Sequence, residues 1–182
     1  SVWDAKYCGL TPQVISSTDI TSFIDTLLRA DLNDNAIDNA HALINEFTMS
    51  GEESNLEKHS QSINKCFSQD DVPAILESLA QENSDWAQKI TKTLSHKSPL
   101  SLSVTFRQLK RAIDLDMDDC MQMEYRMVSR FVDGADFYEG VRALLVDKDK
   151  SPTWSHPSVA DVAQEDVDAY FAPLSRELDL AR

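Results

Sequence analysis

Apolar residues return every three or four positions along most of the chain, which predicts one helix after another. Ile20, Phe23, Ile24, Leu27 and Leu28 form a first stripe, with Ser17 or Thr18 placed to cap it. Ile37, Ala40, Ile44 and Phe47 form a second, and Leu56, Ile63 and Phe67 a weaker third. Val72, Ile75, Leu76 and Leu79 make a short fourth that Asp70 or Asp71 can cap. Pro73 fits its first turn, where an N–H has no helical partner anyway. Trp86, Ile90 and Leu94 continue the pattern.

Three stronger segments follow. Ser98-Pro99 is a helix start, and Leu102, Phe106, Leu109 and Ile113 are expected to face inward from it. Asp116 is placed to cap the next helix, whose Met117, Met121, Tyr125, Val128 and Val132 share a face. Gly134 is expected to end that helix in the left-handed conformation. Asp136 and Glu139 then have the spacing of a capping box, with Phe137, Val141, Leu144 and Leu145 on the inner face. Only Pro12–Ile15 reads as a short strand, from β-branched Val14 and Ile15 beside turn residues. The loop Asn45–Glu57 and the tail after Ser151, with three prolines, are the least regular parts. The expectation is a mainly helical assembly with no repeat.

A chain of 182 residues, 42% hydrophobic, suffices for one domain with a core. Its net charge of −14 and lack of a Lys/Arg block exclude an extended nucleic-acid surface and disfavour anionic membranes. No apolar run reaches the roughly 18–20 residues that span a bilayer. Cys8, Cys66 and Cys120 are scattered, as expected of reduced thiols. Only four glycines are present, in no phosphate-cradling or nucleophile-elbow motif, which argues against a self-contained nucleotide enzyme or serine hydrolase.

The candidate chemistry is sparse. His41, His59, His96 and His156 lack metal-ligand spacing, and no metal site is expected. The methionines Met117, Met121, Met123 and Met127 read as core packing. Asp114, Asp116, Asp118 and Asp119 lack the glycine and terminal glutamate of a calcium loop and suit a helix start. Arg142, three residues after Glu139, is set for an ion pair with it. Lys148 and Lys150 suit either a helix end or a phosphate.

A series of short segments carries a resemblance. Asp4-Ala5-Lys6-Tyr7-Cys8-Gly9-Leu10, Ile63-Asn64-Lys65-Cys66-Phe67, Ser98-Pro99-Leu100-Ser101-Leu102 and Met123-Glu124-Tyr125-Arg126 come first. Asp136-Phe137-Tyr138-Glu139-Gly140-Val141-Arg142-Ala143 and Asp147-Lys148-Asp149 follow, ending at Pro152 and Trp154. In this order and spacing they resemble the 3-hydroxyisobutyryl-CoA hydrolases, a branch of the enoyl-CoA hydratase/isomerase (crotonase) superfamily.

The resemblance implies a mainly α chain forming the C-terminal helical region of a crotonase-like (ClpP/crotonase α/β) fold. It divides the chain into the end of the crotonase core (1–16), a helical segment peculiar to the hydrolase branch (17–97), the signature-bearing helices (98–154) and a tail with a short helix (155–182). It further implies cleavage of the 3-hydroxyisobutyryl-CoA thioester in valine breakdown, with coenzyme A as part of the substrate and no separate cofactor. Backbone oxyanion donors and a catalytic carboxylate perform that reaction from the upstream core. No catalytic residue is therefore expected in this chain, which alone should be inactive. Lys148 lies one position from a lysine that contacts coenzyme A phosphates in related hydratases, and Phe131 is the nearest flanking aromatic. The implied partners are an acyl-CoA substrate, the N-terminal core and, as in many crotonases, further copies. The implied compartment is bacterial cytoplasm or mitochondrial matrix. The alternatives are a hydratase or isomerase acting on another short acyl-CoA, or a non-catalytic homologue such as a mitochondrial ribosomal component, which the −14 charge opposes.

Overall fold

The computed structural model describes residues 1–30 and 35–180. Residues 31–34, within the expected 17–97 segment, and 181–182, at the end of the expected tail, lie outside it. Eleven α-helices account for most of the described chain, with no strand among the described residues. At the expected strand there is a single antiparallel bridge, Ile15 to Thr48, next to a bond from Met49 N–H to the Val14 carbonyl. The chain forms two compact units, Ser1–Asn64 and Lys65–Arg182.

In the first unit, α1 (Val2–Tyr7) packs on the single-turn α4 (Asn55–Lys58). The Ser54 hydroxyl donates to Asp4 at 2.6 Å and accepts from the N–H groups of Leu56 and Glu57, so one buried side chain caps α4 and ties it to α1. Helix α2 (Ile20–Arg29) packs on α3 (Ala36–Phe47), with Phe23 and Phe47 edge to face at 5.6 Å. Asp19, not Ser17 or Thr18, begins α2, and no side chain caps it. The Thr18 hydroxyl is engaged with Ser16 and Asp19 instead.

The second unit begins within α5 (Ser60–Phe67) and continues through α6 (Val72–Glu82) and α7 (Asp85–Leu94). Asp71 caps α6 by accepting from Ala74 N–H, and Ser84 caps α7. Cys66, Ile75, Leu79 and Ala87 are buried together, with Trp86, Ile90 and Leu94 packed around them. A second core joins α8 (Pro99–Ala112), α9 (Met117–Asp133) and α11 (Gln164–Ala169) through Leu100, Val104, Met123, Met127, Val167 and Phe171. The caps expected at Ser98 and Asp116 are both made.

Several burial expectations are corrected. On α8 it is Leu100 and Val104 that are buried; Leu102 and Phe106 are half-buried, and Leu109 and Ile113 are exposed. On α9 Met123 and Met127 enter the core, whereas Met117, Met121, Tyr125, Val128 and Val132 are exposed. Phe137, Leu144 and Leu145, expected on an inner face, are exposed too. The physical reason is that α9 carries two apolar faces. At 3.6 residues per turn its five exposed positions fall within about 80° of arc, on the other side of the helix from Met123 and Met127. A helix apolar on both sides is built to lie between two layers.

Candidate functional site

The signature from Asp136 to Trp154 folds back on itself. Helix α10 (Ala135–Val141) runs directly into a π turn, Arg142–Val146, closed by Asp147 N–H donating to the Arg142 carbonyl at 2.8 Å. Such wide turns are rare and are frequent at functional positions. The expected left-handed Gly134 is corrected: with φ −89° and ψ 153° it is extended. It ends α9 and begins α10 at once, and the start of a helix calls for extended backbone.

The expected capping box is corrected as well, because both carboxylates bind elsewhere. Asp136 accepts from the hydroxyl of Ser98, a buried residue 38 positions away, and from the N–H and hydroxyl of Ser155, each at 2.8 Å. Burial pushes its carboxyl up, but these hydrogen bonds outweigh burial and hold it below the usual range. Glu139 accepts from Arg142 through both oxygens, at 2.9 and 2.8 Å, and from Thr153 N–H at 2.7 Å. The Arg142 guanidinium, with the Thr153 N–H, lowers the Glu139 pKa to about 2. Both groups are thus ionised and saturated with donors, the reverse of what a general acid or base near neutrality requires.

Arg142 is the centre of the arrangement. Besides Glu139 it donates to Asp147 and Asp149, each at 2.7 Å, and to the Ser151 carbonyl at 3.2 Å. All five of its N–H donors are used. The expected Arg142–Glu139 pair is therefore present as part of a larger clamp. Gly140 completes the fold: the Trp154 ring lies where a β-carbon would be 3.4 Å from it.

Lys148 lies beyond the π turn, exposed, with a left-handed φ of 57°; Lys150 follows with φ 56°. Phe131 is half-buried against the second core, its ring 4.5 Å from that of Tyr170. The two expected coenzyme A contacts thus differ in kind, one an exposed cation and the other an aromatic packed on the core. The four histidines form no metal-binding group with other residues, among those described. His156 Nε2 lies 3.4 Å from Asp166, and its Nδ1 3.3 Å from the Ser155 hydroxyl, beside the Asp136 network. Arg107, which the motifs leave without a role, ties α8 to α11 through Asp168 and Gln164 and borders a cleft of about 280 Å³ with Asp70, Ser103 and Phe106. That cleft includes no signature residue. No helix is long and apolar enough to cross a membrane, among the described residues.

Comparison with known proteins gives a consistent picture. The sequence matches the enoyl-CoA hydratase/isomerase family over residues 1–171. It is 42% identical over 123 residues to the mitochondrial 3-hydroxyisobutyryl-CoA hydrolase of Rattus norvegicus, covering 67% of this chain and 32% of the relative. For the enzyme of the same name in Dictyostelium discoideum the identity is 45% over 120 residues, covering 65% and 32%. The chain thus spans about a third of the length of these curated relatives. Among solved structures it is similar to a carnitinyl-CoA dehydratase from Mycobacterium thermoresistibile, with a TM-score of 0.82, 28% identity and coverage of 97% of this chain and 48% of that one. An enoyl-CoA hydratase from Rhodobacter sphaeroides gives 0.78, 27%, 94% and 47%. By sequence and by fold the chain belongs to the enoyl-CoA hydratase/isomerase family.

Proposed function

We propose that this chain is the C-terminal helical part of an acyl-CoA thioester hydrolase acting on 3-hydroxyisobutyryl-CoA. The observation that carries the reading is the 40–45% identity to hydrolases of that name over the C-terminal third of their activity-bearing chains' length. In this reading the oxyanion donors and the catalytic carboxylate lie upstream, and the saturated Asp136 and Glu139 are structural. The unpaired apolar face of α9 is the seat of the upstream half, and Lys148 contacts the coenzyme A phosphates beside Phe131. The compartment in this reading is the mitochondrion, the word carried by the relatives' names.

A thiol-release assay with 3-hydroxyisobutyryl-CoA on this chain and on a longer protein that includes the upstream half tests the reading. Activity only in the longer protein is expected. Activity in this chain alone would return Asp136 and Glu139 to candidacy. The dehydratase and hydratase among the solved neighbours favour a second reading, hydration or isomerisation of another short acyl-CoA. Their lower identity places it second, and a longer protein that hydrates an enoyl-CoA without releasing thiol would reverse the order.

A further inference from the structure

Three stretches far apart in the chain enclose the cleft of about 280 Å³: the start of α6, the middle of α8 and the tail before and within α11. Val72 and Pro73 line it from the first, Phe106 from the second, and Val159 and Val162 from the third. The body of the cleft is thus aliphatic and aromatic, as in sites that take up small molecules. Its volume, near the lower end of the range for such sites, suits a ligand of few atoms.

The charged groups on the cleft divide by sign. Asp70 and Asp71 stand where the chain enters α6. Asp71 accepts from Ala74 N–H at 2.8 Å, whereas Asp70 has no hydrogen bond or ion pair among the described residues. From α8 comes Arg107, which donates through Nη1 to Asp168 and through Nη2 to Gln164. A guanidinium has five N–H donors, so Arg107 retains donors that Arg142, with all five in use, does not. Asp168 is also 3.8 Å from Arg111, so one carboxylate is shared between two cations and offsets only one of them. An unpartnered carboxylate and a guanidinium with donors left over, on one apolar cleft, match a ligand that carries both an ammonium and a carboxylate on an aliphatic body.

We propose that this cleft binds a free amino acid with a branched apolar side chain, its ammonium at Asp70, its carboxylate at Arg107 and its side chain against Val72, Phe106 and Val162. No signature residue lines the cleft, so the inference goes beyond the coenzyme A reading and does not depend on it. Isothermal titration of the 182-residue chain tests it with three probes of one shape: L-leucine, 3-methylbutylamine, which lacks the carboxylate, and 4-methylpentanoate, which lacks the ammonium. Saturable binding of leucine is expected. Each analogue should bind about five- to tenfold more weakly, the worth of one charge-assisted hydrogen bond at an exposed site. No saturable binding of leucine at millimolar concentration, or equal binding of either analogue, would overturn the proposal.

Substitutions then assign the two ends. Asp70→Asn should weaken leucine and the amine and leave the acid unchanged, a pattern that a general loss of structure does not produce. Arg107→Gln should weaken leucine and the acid and leave the amine unchanged. Arg107 also ties α8 to α11, so where that variant loses helicity by circular dichroism, Ser103 carries the test. Ser103 lines the cleft and its hydroxyl bonds only the Pro99 carbonyl. Ser103→Leu should therefore keep the helices, fill the cleft and abolish leucine binding. Undiminished binding in Ser103→Leu, or an equal loss for all three probes in Asp70→Asn, would overturn the site.

Discussion

The α6–α7 hairpin and the α8–α10 region are built from the same residue types and end differently. In the hairpin, Leu79 and Ala87 are buried and Trp86, Ile90 and Leu94 close over them, so the apolar stripe finds its partner a few residues away. In α8–α10 one face of α9 meets Leu100, Val104 and Val167, while the other shows Met121, Tyr125 and Val128 to solvent. Single exposed hydrophobes are ordinary, but a continuous stripe along one long helix marks an interaction surface. Periodicity therefore reports that a face will be covered without reporting by what.

The comparison can be broken most sharply by paired substitutions. Leu79→Ala should destabilise the chain by about 2–5 kcal/mol in urea unfolding, because it leaves a cavity in a packed core. Val128→Asp should change it by less than about 0.5 kcal/mol, since the side chain is already in water. In a protein that includes the upstream half, Val128→Asp should become as damaging as Leu79→Ala, because it would bury an unpaired charge. Equal effects in both contexts would mean that the stripe faces solvent there as well.

Next in size is Ser98→Ala, which removes the α8 cap and a donor to Asp136 together. About 1–2 kcal/mol is expected in the same unfolding experiment. A change no larger than that of an ordinary surface substitution would show that the Ser98–Asp136 link does not hold the signature to α8.

Much of this was legible in the sequence. Ser98, Asp71 and Asp116 cap the helices their spacing announces, because a cap is a contact between near neighbours. The resemblance, carried by ordered motifs, led to the family over residues 1–171. What local pattern could not give was tertiary. Asp136 and Glu139 have capping-box spacing, but apart from the local Arg142 their partners are Ser98, Ser155 and Thr153, which only the fold brings near. Gly134 looked like a helix end and is also a helix start, which reverses its backbone preference. The stripes on α8 and α9 were placed inward because sequence shows that a face is apolar and not whether this chain supplies its cover. The Arg142 clamp was foreseen only in its i+3 pair with Glu139, since the convergence of Asp147 and Asp149 depends on the π turn.

A smaller effect is expected from acid. Folding lowers the Glu139 pKa from 4.5 to about 2, so its contribution to stability is present above pH 4.5 and is lost as pH falls through 2. Asp136, also held low, acts in the same direction. In a chain carrying Trp3→Phe and Trp86→Phe, Trp154 emission should stay level down to about pH 3 and shift only as pH falls through 2, where the folded-state carboxylate takes up its proton and the Thr153 contact loosens. A shift centred near pH 4.5 would count against the bonds that Arg142 and Thr153 make to Glu139.

The smallest effect is expected at Gly140. A β-carbon there would sit 3.4 Å from the Trp154 ring, at ordinary contact distance. Gly140→Ala should therefore raise stability by about 0.4–1 kcal/mol, through the reduced freedom of the unfolded chain. Gly51 is its foil, because a β-carbon there would lie 2.5 Å from Trp3. Gly51→Ala should displace that ring and lower stability.

The measurement that bears most directly on the two faces of α9 is methionine oxidation by mild peroxide, mapped by peptide mass spectrometry. Met117 and Met121 are exposed, at 73% and 42%, while Met123 and Met127 are at 6% and 5%. In this chain alone, Met117 and Met121 should oxidise well ahead of the other two. In a protein that includes the upstream half, all four should be protected alike. Continued rapid oxidation of Met117 and Met121 there would contradict the proposal that this face is the seat of the upstream half.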